Sequence, residues 1–239
     1  MSKTGIDWTD TATNINLEEA LYFYTRNDYL IVNNLLEGNI DLIWEVAGLV
    51  IGDNIGVLKE HYAGERPPFD DKTVAWLKGR IWEEINEEAK TEILRIAKND
   101  IANILGAMKP TQNKILVYRT VMADAGARRA SATELTHSIN DVIDFKYISS
   151  TSISPGWQES AGHEFYRYEI TVPENGLVLE LDYLHHNEKG EVLLPPMKCK
   201  VTNVRGSDNE KCRGIIELEY LGPIPVVGTG PSFNLFAQQ

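Results

Sequence analysis

Three side chains in this 239-residue sequence put polar chemistry where an apolar strand is otherwise expected: Arg119, Ser150 and Glu191. Arg119 interrupts Ile115-Leu116-Val117-Tyr118-Arg119-Thr120, where a buried guanidinium is costly unless an anion pairs with it. Its planar, paired donors match a phosphate, and they would equally bridge to a core carboxylate. Tyr147-Ile148-Ser149-Ser150-Thr151-Ser152 sets four hydroxyls in a row behind an aromatic residue. They offer uncharged hydrogen bonds to a ligand, or to neighbouring backbone at an ordinary strand end. Glu191 follows Glu188-Lys189-Gly190 and opens Glu191-Val192-Leu193-Leu194-Pro195-Pro196, which places a carboxylate at a rim. Breaking a glycosidic bond through an oxocarbenium-like state calls for such a carboxylate, because positive charge develops on the sugar. An exposed turn glutamate is the plainer reading.

The elements that must position these residues fall into two kinds. Up to about Pro110 the periodicity is helical. Asn16-Leu17-Glu18-Glu19 reads as an N-cap with acidic residues in the first turn. Asn27-Asp28 starts a second helix that ends before Gly38. Ile40 to Tyr62 reads as mostly helical, and its Gly48, Gly52 and Gly56 fit neither GxGxxG nor a P-loop. Val74, Leu77, Ile81 and Ile85, then Ile93, Ala97, Ile101, Ile104 and Leu105, define two amphipathic helices. From Ile115 the pattern is β. Strands are predicted at Ile115 to Val121, Phe145 to Ile153, Glu164 to Val172, Leu177 to Tyr183, Glu191 to Leu194, Lys198 to Val204 and Gly214 to Leu221, with a helix at Ala132 to Val142. Helices followed by strands indicate an α+β protein rather than alternating βαβ units. The tail from Pro223 to Gln239, rich in Pro and Gly, should be extended or mobile.

Composition narrows the partners. Lys+Arg 23 against Asp+Glu 35 gives a net charge of −12 and an isoelectric point near 4.9, which opposes tight binding to nucleic acid or anionic membranes. No apolar run reaches the length of a membrane span. Met1 to Asp7 lacks the apolar core of a signal peptide, so synthesis is expected in the cytoplasm. Cys199 and Cys212 are too few for a disulfide scaffold and are expected as thiols, unless neighbouring strands bring them together. His185-His186 point to opposite sides of a strand end and lack a third ligand at suitable spacing, so no metal is expected. Arg128-Arg129 read as a solvated loop pair.

Arg119 on one strand, Ser150-Thr151-Ser152 on the next and Glu191 opening a Glu-Val-Leu-Leu-Pro strand together resemble the Arg-Ser-Glu class of mono-ADP-ribosyltransferases. The catalytic components of binary toxins, such as iota toxin, are the family most like it. Glu19-Ala20-Leu21-Tyr22-Phe23-Tyr24-Thr25 and Tyr29-Leu30-Ile31-Val32-Asn33-Asn34-Leu35-Leu36 look like that family's opening signature. The resemblance runs over residues 17 to 222. It suggests an N-terminal arm (1–16), one catalytic domain (17–222, helical over 17–110 and strand-rich over 111–222) and a C-terminal tail (223–239).

The resemblance implies a helical part packed on a split, strongly bent mixed β-sandwich, with NAD as substrate in a cleft and no metal. Arg119 would hold an NAD phosphate. Ser150 would support the nicotinamide ribose and orient Glu191, with Thr151 and Ser152 shaping the strand. Glu191 would bond the ribose 2′-hydroxyl and stabilise the oxocarbenium ion. Tyr24 and Asn33 lie where the opening signature contributes to the cleft, and Trp157 lies in the loop after the Ser-Thr-Ser strand. The implied activity is transfer of ADP-ribose from NAD to a protein acceptor. Action in another cell would then need a separate delivery component.

Lys189 departs from the family, whose arginine-modifying members carry Glu two residues before the catalytic Glu, while asparagine- or Rho-modifying members often carry Gln. An ammonium cannot take a proton from a target guanidinium and repels it. Glu188 substitutes if the turn bulges. Otherwise water is the acceptor, which makes the protein an NAD glycohydrolase. A non-catalytic effector or virion component on the same fold is the third reading.

Overall fold

The computed structural model describes residues 17, 20, 21, 24, 29–43, 87–122, 137–155, 164–181 and 190–226. They fall into two units, a helical one within Asn14–Gly106 and a strand-built one from Ala107 onward. Among the described residues no helix is long and apolar enough to cross a membrane.

In the helical unit, α1 spans Tyr29–Glu37 and buries Ile31, Val32 and Asn34. The Asn34 side-chain amide is satisfied by donating to the Leu30 carbonyl at 2.8 Å. The helix stops where the sequence places its glycine: Gly38 takes a φ of +79°. Its amide donates to Leu35 O and the Asn39 amide to Asn34 O, the paired closure that a left-handed C′ residue permits. The second helix, α2, spans Glu87–Ala107. Ala97, Ile101, Ile104 and Leu105 are buried, the i, i+4, i+7, i+8 stripe expected of an amphipathic helix. The helix expected on Val74, Leu77, Ile81 and Ile85 lies outside the described residues, as do residues 44–62 of the mostly helical stretch expected over Ile40 to Tyr62.

Among the described residues the strand unit holds nine strands: β1 Lys109–Pro110, β2 Ile115–Met122, β3 Val142–Phe145, β4 Ser149–Ser152, β5 Phe165–Val172, β6 Leu177–Glu180, β7 Glu191–Leu194, β8 Met197–Arg205 and β9 Cys212–Pro223. Their order is β1-β6-β7-β4-β2-β5-β9-β8-β3. The pairs are antiparallel except β5 with β9, so the sheet is mixed. One junction is weak. β2 meets β5 over eight residue pairs, from Ile115↔Val172 to Met122↔Phe165, but it meets β4 only at Tyr118↔Ser152. The sheet is split there into halves β1-β6-β7-β4 and β2-β5-β9-β8-β3.

Side chains from both halves nevertheless share one core. Val178, Val192 and Leu194 come from one half; Val117, Ile170, Val201, Ile216 and Leu218 come from the other. The sheet must therefore bend over itself to bury them together. Each such side chain, fully removed from water, contributes roughly 1.5–3 kcal/mol. This is a split, bent mixed sheet, as the resemblance implied.

Two local expectations are corrected. Phe145 to Ile153 is not one strand: β3 pairs with β8, whereas β4 pairs with β7. Residues 137–141 are not helical and Val142 is extended. The Asp141 carboxylate accepts from the Ser138 amide at 2.7 Å and Asn140 has a φ of +78°, so the chain turns before β3. The short β1, pairing Lys109↔Val178, was not anticipated. Both cysteines are buried free thiols. Cys199 lies opposite Tyr220, eight residues along β9 from Cys212, or about 27 Å at the rise of a strand. Neighbouring strands therefore do not join them.

Candidate active site

Strand alternation sorts the hydroxyl run into two roles. β4 and β7 pair in the register Ser149↔Leu194, Ser150↔Leu193, Thr151↔Val192 and Ser152↔Glu191. Ser149 and Thr151 share a face with Leu194 and Val192, which point into the core. The Thr151 hydroxyl donates to Val192 O at 2.6 Å and so braces the strand pair. Ser150, Ser152 and Glu191 stand half-buried on the opposite face. There the Ser150 Oγ donates to Glu191 Oε1 at 2.5 Å, a charge-assisted bond to a carboxylate. The Ser152 Oγ accepts from the Ser154 amide at 3.1 Å, closing the strand end.

Arg119 enters from the split. It shares a face of β2 with Val117 and Val121, both core residues, and lies opposite Tyr168 in the β2–β5 register. Continuing the β2–β4 ladder from Tyr118↔Ser152 would pair Thr120 with Ser150, but the ladder has stopped. The Ser150 carbonyl instead accepts from Arg119 Nη1 at 3.0 Å. The guanidinium carbon lies 5.2 Å from the centroid of the Tyr147 ring, close enough for a cation–π attraction. Arg119 Nε is buried and has no hydrogen-bond partner among the described residues. One serine thus joins the guanidinium through its main chain and the carboxylate through its side chain.

Behind Arg119 lies an aromatic block. Phe145 packs edge-on against Tyr147 and Tyr168, at 6.0 and 5.5 Å between centroids. Burial pushes the Tyr168 hydroxyl above its usual range, with Tyr147 adding to the shift and Arg119 opposing it. That hydroxyl shares a hydrogen bond of 3.3 Å with His137 Nε2. Burial lowers the His137 pKa, against the pull of Asp141.

The three residues chosen from the sequence are therefore brought together. Tyr24 and Asn33 belong to the helical unit, where the buried Tyr24 meets Tyr29 edge-on at 6.3 Å and Asn33 lies on α1. Trp157, Glu188, Lys189, His185-His186 and Arg128-Arg129 lie outside the described residues. Sequence reading passed over Tyr168, whose place opposite Arg119 depends on register across strands, and His137, which reaches Tyr168 from the turn before β3. It also passed over Gly190 except as part of a turn. A glycine immediately before a strand-opening carboxylate was the available signal.

No protein-family model matches the sequence, and no curated protein matches it. Solved structures do. The chain is similar to the catalytic domain of VahC from Aeromonas hydrophila, with 18% identity and a TM-score of 0.52 over 87% of this chain and 100% of that one. The Salmonella SpvB ATR domain matches at 16% identity and a TM-score of 0.52, over 87% and 100%. Plx2a, an ADP-ribosyltransferase toxin from Paenibacillus larvae, matches at 12% identity and a TM-score of 0.50, over 89% of each chain. The chain has the fold of the ADP-ribosyltransferase toxins, the family that its Arg119, Ser150 and Glu191 resemble.

Proposed function

We propose that this chain is a mono-ADP-ribosyltransferase that cleaves NAD at the nicotinamide–ribose bond and transfers ADP-ribose to a protein side chain. The observation that carries this reading is the bridge at Ser150, with Glu191 on its hydroxyl and Arg119 on its carbonyl. The residues fit a dinucleotide substrate. The buried Arg119 Nε has no hydrogen-bond partner among the described residues, and a phosphate oxygen would supply one. Glu191, held by Ser150, presents a carboxylate to positive charge building on the ribose as nicotinamide leaves with the bonding electrons. Ser152, on the Ser150 face of β4, belongs to the substrate site in this proposal.

The likeness to Plx2a, an ADP-ribosyltransferase toxin, supports reading the chain as a toxin or effector. One sequence feature favours a second reading. Lys189 stands two residues before Glu191, where an acceptor-recognising carboxylate or amide is expected, so water as acceptor would make the protein an NAD glycohydrolase. Incubation with adenylate-labelled NAD and a mixed cell lysate separates the two. Labelled protein that disappears in Glu191→Gln supports the transferase. Nicotinamide release without label supports the glycohydrolase, and neither signal overturns both.

A further inference from the structure

Glu191 can meet Ser150 only if β7 begins in the right direction, and the residue just before it is a glycine. Gly190 is buried with a φ of +91°, a backbone state that side-chain-bearing residues rarely adopt. A Cβ built there would lie 2.7 Å from Ile153 Cγ1 and 3.1 Å from Ile153 Cδ1. Ile153 is poorly placed to withdraw. It packs against the main core, and its amide donates to the Gly190 carbonyl at 2.9 Å, carrying the β4–β7 pairing one step past Ser152↔Glu191. On the other side the Leu181 amide donates to the Glu191 carbonyl at 3.0 Å. The backbone of 190–191 is thus clamped between two strands, with no room for a side chain at 190.

We infer that Gly190 is a positioning residue: its bare backbone against Ile153 sets the direction in which Glu191 leaves β7, and so the contact of its carboxylate with Ser150. This rests on the function proposed above for its catalytic consequence, though not for its geometry. A side chain at 190 pushes Ile153 away and opens the strand end that carries Ser152 and Glu191. The carboxylate moves while the split that carries Arg119 is left in place. Turnover should then suffer more than substrate affinity, because a displacement near 1 Å costs about 10²-fold in rate.

The test compares wild type, Gly190→Ala, Ile153→Ala and the double variant by crystal structure and by steady-state nicotinamide release from NAD. In Gly190→Ala the Ser150–Glu191 separation should exceed about 3.5 Å, beyond hydrogen-bonding reach. The kcat should fall by about 10–10²-fold with KM changed less than about threefold. Ile153→Ala alone should keep both near wild type, and in the double variant it should recover about tenfold of the loss by removing the colliding atoms. The double variant also carries the test if Gly190→Ala does not fold. An intact Ser150–Glu191 bond in Gly190→Ala overturns the inference, as does an unchanged kcat, or a loss that Ile153→Ala leaves untouched. A wild type that releases no nicotinamide overturns the proposed function instead, and the crystallographic distance then decides the role of Gly190.

Discussion

Arg119 and Ser150 are joined where their strands part: Arg119 Nη1 donates to the Ser150 carbonyl at 3.0 Å, in place of the ladder bond that the split removes. The same guanidinium keeps a buried Nε without a partner among the described residues. A lysine offers one ammonium and cannot hold the carbonyl and an anion with a fork. Arg119→Lys should therefore weaken NAD binding about tenfold, the effect of about 1.4 kcal/mol. Titration calorimetry reads this directly, and an unchanged Kd would remove Arg119 from the substrate site.

Adjacent serines should behave in opposite ways. The Ser149 hydroxyl is fully buried without a hydrogen-bond partner among the described residues, so Ser149→Ala should be neutral or stabilise by up to about 1 kcal/mol. Ser150→Ala removes the donor that orients Glu191 and should reduce nicotinamide release by about 10–10²-fold with little change in the melting temperature. Thermal melts and turnover measured on both variants decide it. A rate loss at Ser149 equal to that at Ser150 would contradict the facing assigned to β4.

His137 makes stability depend on pH. Burial lowers its pKa from 6.5, so the unfolded chain binds a proton more readily than the native one. The His137 contribution is then complete above about pH 6.5 and is lost as the pH falls from there through the lower native value. The melting temperature of His137→Asn should be flatter than wild type between about pH 5 and 7. Identical slopes would show that His137 titrates alike in both states.

The clustering of Arg119, Ser150 and Glu191 was more legible in the sequence than the path of the chain around them. Arg119, Ser150 and Glu191 stood out because each breaks an apolar strand with a group that needs a partner, and the structure supplies those partners. The division of Phe145 to Ile153 into β3 and β4 was hidden, because alternation reports which face a residue takes and not which strand it pairs with. The helix expected over Ala132 to Val142 fails over its described residues, 137–142, because an Asn140 in the left-handed region is a local turn that periodicity does not reveal. Gly190 read only as a turn residue until the approach of Ile153 gave its missing side chain a consequence.

The two thiols should stay apart and inert. Burial raises the Cys199 pKa to about 12, and thiolate is the reactive form. In native protein at pH 8, Cys199 should resist dithionitrobenzoate and react only on denaturation, with both cysteines found reduced by mass spectrometry. Prompt native labelling of Cys199 would contradict its buried position.

In the proposed reaction the Glu191 carboxylate, held by Ser150, acts on charge that develops only as the nicotinamide–ribose bond breaks. Such a group contributes to turnover and little to ground-state binding. The decisive measurement is therefore NAD affinity alongside single-turnover nicotinamide release in wild type and Glu191→Gln. A Kd within about threefold of wild type and a rate lower by about 10²–10³-fold are expected. Equal losses in affinity and rate, or a rate that survives the substitution, would contradict it.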